Sequence, residues 1–402
     1  MRPPRPLPEK LSRPLKGPPA RPFASREFLP QNAGFVNPAD VARSMVRQGG
    51  RWLAAAVAAT VLLGPALAEG MAAPQRPPHR MADRKPLSFP LAGLPPIRGF
   101  CLSLDYPGRV DAYLKALERL RRMGCPWVNV VVNARQRDIH ARHLAMNWKD
   151  SPRPSAILRI LRQAHRLGLH TMLMPIVLLN HATGDQWRGA IQPPNWAVWF
   201  ADYRRYLLRC ARWANRGHVS IFSVGSELLS TEKFRAQWLR VIRVVRRVYP
   251  GKLTYSANWD HYQHVRIWPQ LDYIGMNAYY DLGPAKTPVR RIVVTWRHIQ
   301  RRIFALARRE HKPVLLTEIG WDNLHNTLEK PWDYVGEGKI DPAVQLRAYT
   351  AFVTVWRHLP SKLFLGAFFW QWQPGAKATD YGSYSLQGEP ALPLVEHWMS
   401  GR

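Results

Sequence analysis

Cysteine is scarce here, with three in 402 residues: Cys101, Cys125 and Cys210. Three thiols exclude a disulfide framework, and their spacing fits no zinc motif. Two lie in or beside strand-like runs and one in a helical stretch, so buried core residues are expected, with one pairing among them left open. Acidic residues are scarce too, 27 against 58 basic ones, for a net charge of +31, and only 13 of the basic residues are lysine. The first 90 residues hold 14 basic and 5 acidic side chains, so the excess extends into the body of the chain. Such a surface suits an acidic polysaccharide, a nucleic acid or an anionic membrane, and it also follows from arginine-rich composition alone. No nucleic-acid module is legible, and the basic residues are spread over helices, so no nucleic-acid partner is expected. Equally missing are a glycine-rich phosphate loop after a strand and a Gly-x-Ser-x-Gly setting around Ser223 or Ser226. His140 and His143 stand three apart without a carboxylate at metal-ligand spacing. Neither a cofactor nor a metal is therefore expected.

Long hydrophobic runs are also few. Residues 1–44 are rich in proline and arginine and read as a disordered extension, or as one outside the true reading frame if translation starts at Met45. Basic residues up to Arg51 precede an apolar run from Trp52 and the small residues Ala66-Leu67-Ala68. This order reads as a signal peptide over residues 45–68, or as an uncleaved anchor through residues 52–68. Residues 69–91, with Pro77, Pro78, Pro86 and Pro90 among them, read as a linker. The body, residues 92–402, is then expected to be secreted or periplasmic, free if the signal is cleaved and anchored to the inner membrane if it is not. Nothing in the sequence speaks for or against an oligomer.

From about residue 92, short apolar runs alternate with longer amphipathic segments, the pattern of βα units and a parallel sheet. Strands are expected at 97–104, 127–133, 169–177, 219–226, 252–257, 271–277, 313–317 and 364–370. Helices are expected near 109–123, 154–167, 195–215, 231–249, 290–309 and 341–358, with a short segment after the fifth strand and a last helix after the eighth. Asp341-Pro342 reads as a capped helix start, and Gly124, Gly168 and Gly217 as left-handed caps after the first three helices. Eight such units make an α/β fold, a single (β/α)8 barrel of the TIM type.

Two of the strand runs end in a glutamate, Glu227 after Val219–Ser226 and Glu318 after Pro313–Thr317. In a barrel of parallel strands the C-terminal strand ends converge on the face where chemistry is done. Two carboxylates there are the minimum equipment for cleaving a glycosidic bond: one donates a proton, the other attacks or activates water. Asp105, past the first strand, and Asn133, ending the second, are cleft candidates by position. Arg188, after the third strand, either reaches a substrate hydroxyl or carboxylate or clamps its loop.

The stretches Trp187-Arg-Gly-Ala-Ile, Asn195-Trp-Ala-Val-Trp-Phe, Phe222-Ser-Val-Gly-Ser-Glu227, Leu253-Thr-Tyr-Ser-Ala-Asn258-Trp259-Asp260, Leu271–Tyr279, Thr317-Glu318-Ile-Gly and Phe368-Phe-Trp370-Gln-Trp372 come in the order seen in glycoside hydrolase family 113. The chain resembles these retaining endo-β-1,4-mannanases of clan A from about residue 95 to its end. The resemblance implies a retaining glycosidase of (β/α)8 fold acting on a polysaccharide or oligosaccharide, with Glu227 as acid/base and Glu318 as nucleophile. It implies that Tyr279 hydrogen-bonds the nucleophile, that Asn258 and Trp259 line the cleft, and that Trp370 floors the reacting sugar. Trp187 and Arg188 fall in a matching loop.

Three departures bear on the substrate. Ser226 precedes Glu227 where clan A usually has asparagine. The strand-three end reads Leu173-Met-Pro175-Ile-Val-Leu where the family is polar, and Asn133-Ala-Arg-Gln-Arg137 stands where it has aromatics. Arg135, Arg137 and Arg188 near the mouth make an acidic exopolysaccharide an alternative to a mannan-like one. Two other readings use the same barrel: a catalytically weak glycan-binding component of an envelope or exopolysaccharide system, and a transglycosylase with the same glutamate pair.

Overall fold

The computed structural model describes residues 94–401 except 185, 334–337, 358–361 and 377–381. The expected extension, the signal or anchor segment and the linker lie outside the described residues. Within them, no helix is long and apolar enough to cross a membrane.

Eight parallel strands pair in chain order and close on themselves: β1 (Ile97–Ser103), β2 (Trp127–Gln136), β3 (His170–Leu179), β4 (Ile221–Ser226), β5 (Lys252–Ala257), β6 (Ile274–Asn277), β7 (Val314–Ile319) and β8 (Phe364–Phe369). Among the described residues, seven helices lie between or after them: α1 (Val110–Arg122), α2 (Pro154–Arg166), α3 (Trp196–Arg216), α4 (Arg235–Arg246), α5 (Val289–Glu310), α6 (Pro342–Trp356) and α7 (Leu392–Ser400). After β5 there is only the 3-10 turn Trp268–Gln270, so the fifth unit lacks its helix, as expected. The strands are buried along almost their whole length because helices cover them outside and side chains fill them inside. Ile97, Cys101, Val131, Met172, Met174, Leu315 and Phe368 form one buried cluster of the barrel, and a larger cluster joins strands to helices.

β2 and β3 run past their expected ends. Ala134-Arg135-Gln136 reads as loop by composition, yet the ladder continues to Gln136 opposite Leu179. Tertiary pairing overrides the polar character of the segment. α4 starts at Arg235 rather than 231, because Leu229–Thr231 winds as a 3-10 turn first.

Gly124 and Gly168 have φ of 78° and 72°, the expected left-handed caps, but Gly217 does not: its φ is −98° and the neighbouring His218 takes φ 58°. Gly217 is instead needed for close approach, since a Cβ there would lie 2.7 Å from Leu161 Cβ. Asp341 stands at the N-cap before Pro342 at the start of α6 but makes no side-chain capping hydrogen bond; its carboxylate meets His325 Nδ1 at 3.0 Å instead. All three cysteines are buried and free.

Candidate active site

Glu227 owes its direction to an irregular strand end. The β4–β5 register shifts between Ser223 and Ser226, a bulge, and Glu227 then takes a left-handed φ of 54°. A non-glycine residue there costs about 1–2 kcal/mol, held by the surrounding structure. Glu227 N donates to Ser256 O at 2.8 Å and Leu228 N to the Tyr255 hydroxyl at 3.0 Å. From α3, Tyr203 braces the bulge by donating to Val224 O at 2.8 Å. Gly225 makes room for that brace.

Glu318 lies within β7, one residue before its end, where the β6–β7 register also shifts. The polar layer beside it is continuous: Thr317 Oγ1 lies 2.6 Å from Ser256 Oγ, and Asn129 Nδ2 donates to Thr317 O at 3.2 Å. Strands five and seven are thus joined through buried hydroxyls, and strands two and seven through the Asn129 amide, next to Glu318.

Glu227 and Glu318 are both buried, at 3% and 6% exposure. Arg188, in the 3-10 turn Arg188–Ala190 after β3, forms an ion pair with Glu227 through Oε2. The Tyr279 hydroxyl, just past β6, donates to Glu318 Oε1 at 2.6 Å. Burial pushes the Glu227 carboxyl above its ordinary value; the Arg188 charge opposes this and Asp260 adds to it. Burial first and the Glu227 charge second push Glu318 up to about 7, against the pull of Arg188 and of the Tyr279 hydrogen bond. Two carboxyls in one dry, like-charged environment share their protons and titrate as a pair.

The remaining expected site residues fall into separate groups. Asn258 is buried, accepts from Asn277 Nδ2 at 3.1 Å and donates to Asp260 Oδ1 at 2.8 Å, so it links the ends of β5 and β6. Asn133 donates to Asp105 Oδ1 at 3.0 Å and accepts from Ser151 at 3.0 Å, forming a second polar corner at the ends of β1 and β2. Burial raises the Asp105 carboxyl above its ordinary value. Ser226 Oγ is buried with no hydrogen-bond partner among the described residues. Trp370 N donates to Ile319 O at 2.7 Å, and its ring packs partly exposed against the barrel cluster. The Trp187 ring covers Gly189, where a Cβ would lie 2.3 Å from it. Trp259 stacks on Trp332 with centroids 5.6 Å apart and planes at 19°.

Three participants escaped the sequence reading. Asp260 acts on Glu227 through its charge, Asn277 holds Asn258, and Trp332 backs Trp259. Asp260, two residues past Asn258, carried a local signal; Trp332, in the long segment after β7, carried none. Of the mouth arginines, Arg135 pairs with Asp150 at 3.4 Å and Arg137 with Asp138 at 2.9 Å. Among the described residues, no group of three or more His, Cys, Asp and Glu is placed to hold a metal ion.

The comparisons with known proteins place this barrel among the glycosidases. More narrowly, the chain is a member of Glycoside Hydrolase Family 113, whose pattern matches residues 109–387. A solved GH113 β-1,4-mannanase is 23% identical, with a TM-score of 0.69 over 77% of this chain and 100% of that one. The GH113 β-mannanase AaManA from Alicyclobacillus acidocaldarius, solved in complex with ManMIm, is 26% identical, with a TM-score of 0.67 over 77% and 99%. A family 5 mannosidase from Rhizomucor miehei shares the fold at 11% identity, with a TM-score of 0.52 over 79% and 97%. No curated protein matches the chain.

Proposed function

We propose that the chain is a retaining glycoside hydrolase that cleaves a β-linked, mannan-like polysaccharide by double displacement. Glu318 is the nucleophile and Glu227 the acid/base. The observation that carries this reading is the unlike surroundings of two buried carboxyls on one barrel face. Glu318 accepts a hydrogen bond from Tyr279 at 2.6 Å, which orients one oxygen and favours the ionised form. Glu227 is held by Arg188 through one oxygen and carries the proton for the leaving group on the other.

In the first step the Glu318 carboxylate attacks the anomeric carbon while Glu227 protonates the departing glycosidic oxygen. Glu227, now a carboxylate, then takes a proton from water, which attacks the same carbon and releases Glu318. Trp370 and the Trp259–Trp332 pair present aromatic faces suited to sugar C–H faces, and Asp105 and Asn258 supply polar groups near the strand ends. The main support for a mannan-like substrate is family membership. The acidic-glycan alternative rests on arginines that the structure engages elsewhere, Arg135 with Asp150 and Arg137 with Asp138. The setting we propose is outside the inner membrane, from the sequence signal over residues 45–68.

The decisive experiment is hydrolysis of a panel of neutral mannans and acidic exopolysaccharides, with the product anomer followed by NMR. Glu318→Ala should lose several orders of magnitude in turnover, and Glu227→Ala should lose most on poor leaving groups. Full activity of Glu318→Ala, or an inverted first product, ends this reading. Transfer to added sugar acceptors in place of hydrolysis would mark a transglycosylase, and binding without turnover would mark a glycan-binding barrel.

A further inference from the structure

The contact between Arg188 and Glu227 is the least expected feature of the cleft. A residue meant to donate a proton is paired with a permanent cation, and both partners are nearly out of solvent, with side-chain exposures of 11% and 4%. An arginine in that place acts on the carboxyl in two ways. Its charge stabilises the ionised form. Its guanidinium also holds one carboxyl oxygen close, which limits the orientations open to the other.

The pair runs through Oε2. The closest approach is at Oε2, a charge contact that makes no hydrogen bond, which leaves Oε1 as the oxygen assigned to the transferable proton. The backbone supports the same division of labour. Glu227 sits in the left-handed region at the bulged end of β4, with φ of 54°, and its amide is tied to Ser256 O at 2.8 Å. The main chain and one carboxyl oxygen are therefore both held, leaving the other oxygen to the substrate. Beside Arg188 in the chain, the Trp187 ring lies over Gly189 and fills the space a side chain would need.

We propose that Arg188 is a positioning residue for the acid/base. It holds Glu227 by Oε2, presents Oε1 to the glycosidic oxygen, and sets the pH above which the transferable proton is lost. This rests on the assignment of Glu227 as acid/base and assigns Arg188 no direct contact with the substrate. The groups that face the two carboxyls define what Arg188 works against. Asp260 after β5 and Glu318 on β7 both favour a neutral Glu227, and Arg188 is the positive charge that opposes them. Around Glu318 stand Glu227, Arg188, Tyr279 and the Cys101 thiol. Without Arg188, Glu227 would hold its proton to higher pH and would be a weaker acid in the first step. In the second step Arg188 stabilises the carboxylate that awaits a proton from water.

The test compares Arg188→Ala and Arg188→Lys with the intact protein, using kcat and KM against pH on substrates with good and poor leaving groups. Arg188→Ala should move the basic limb of kcat/KM up by about one pH unit, the lower end for an opposite charge in contact. It should lower kcat most with poor leaving groups and leave KM within about twofold, since binding is not its task. Arg188→Lys should hold the basic limb near its original place and recover part of kcat. As a readout that survives loss of activity, the unliganded protein carrying 13C-labelled glutamate carboxyls should show the Glu227 signal titrating at higher pH in Arg188→Ala. Glu227→Gln identifies that signal.

A raised KM with an unmoved pH profile would make Arg188 a substrate anchor and overturn the proposal. A uniform loss with a lowered melting temperature and an unmoved Glu227 titration would make it a loop brace, and would overturn it equally. The assignment beneath is judged separately. If Glu227→Ala keeps full activity, the function reading fails; if it is impaired and Arg188→Ala leaves the titration in place, only the role of Arg188 fails.

Discussion

The Tyr279 hydroxyl, just beyond β6, donates to Glu318 Oε1 on β7 at 2.6 Å, and both side chains are buried. A hydroxyl-to-carboxylate bond of this kind contributes about 1.5–3 kcal/mol, because the charge has few other partners. Tyr279→Phe keeps the ring and removes only that bond. It should lower kcat by roughly 10- to 100-fold, the same energy expressed as a rate. The pH profile supplies the sign. On the proposed mechanism Glu318 attacks in its ionised form, so activity falls as pH drops through its pKa, which burial and the Glu227 charge hold above the ordinary carboxylate value. Loss of the hydrogen bond raises that value, and the acid limb of kcat/KM should move to higher pH. An unmoved acid limb in Tyr279→Phe would deny the tyrosine any hold on the nucleophile.

Trp332 offers a test of the cleft wall. Its ring stacks on Trp259 at 5.6 Å, and Trp259 in turn meets Tyr280 edge-on at 5.2 Å. On the proposed function, one stacked and one edge-on neighbour hold Trp259 rigid as a face for a sugar ring. Each aromatic pair contributes about 0.5–1.5 kcal/mol beyond burial, so Trp332→Ala should raise KM about 2- to 10-fold. The change should grow with oligosaccharide length while kcat on a saturating substrate stays near its original value. Equal loss on every substrate length would place the stack outside the cleft.

How much of this was legible beforehand follows from which forces are local. The eight strands show in sequence because each is a short buried apolar run, and a run such as Val314–Ile319 needs no partner to be recognised. Both glutamates were legible for the same reason, as polar residues closing apolar runs. The polar extension of β2 through Gln136 was not, since it depends on pairing with β3. The exchange of roles between Gly217 and His218 was also hidden, because it turns on a Leu161 side chain 56 positions earlier. Arg188 was found, but its partner was not: a contact between a turn after β3 and the end of β4 exists only once the barrel closes. Trp332 had no periodicity to mark it.

Gly225 tests whether the bulge, rather than the glutamate alone, makes the site. A Cβ at this position would lie 2.7 Å from the Tyr203 hydroxyl, 3.0 Å from Trp238 and 3.1 Å from Tyr255. All three are buried large side chains, so none can yield cheaply. Gly225→Ala should cost about 1–3 kcal/mol, the range for overpacking a tight core. If the variant relaxes by breaking the Tyr203 bond to Val224 O, Glu227 shifts and kcat falls more than stability alone explains. Urea unfolding paired with kcat on a good and a poor leaving group separates the two effects. Wild-type stability and kcat in Gly225→Ala would show that the brace does not set the direction of Glu227.

Glu232 links the same corner to stability. It lies five residues past Glu227, its carboxyl accepts from the Tyr255 hydroxyl at 2.8 Å, and Leu228 N donates to that same hydroxyl at 3.0 Å. Burial lifts the Glu232 carboxyl from its ordinary 4.5 to about 7, with the Asp260 charge adding to the rise against the Tyr255 hydrogen bond. A raised folded-state pKa means that the fold favours the proton. Its contribution to stability is complete below pH 4.5 and is lost as pH rises through about 7. Glu232→Gln keeps an oxygen for Tyr255 and removes the titration. It should therefore be more stable than the intact protein at pH 8, by about 1–3 kcal/mol, and close to it at pH 5. Denaturant unfolding at the two pH values measures this directly. An equal difference at both values would mean that Glu232 is already solvated in the fold, and that the Tyr255 hydroxyl owes its position to Leu228 alone.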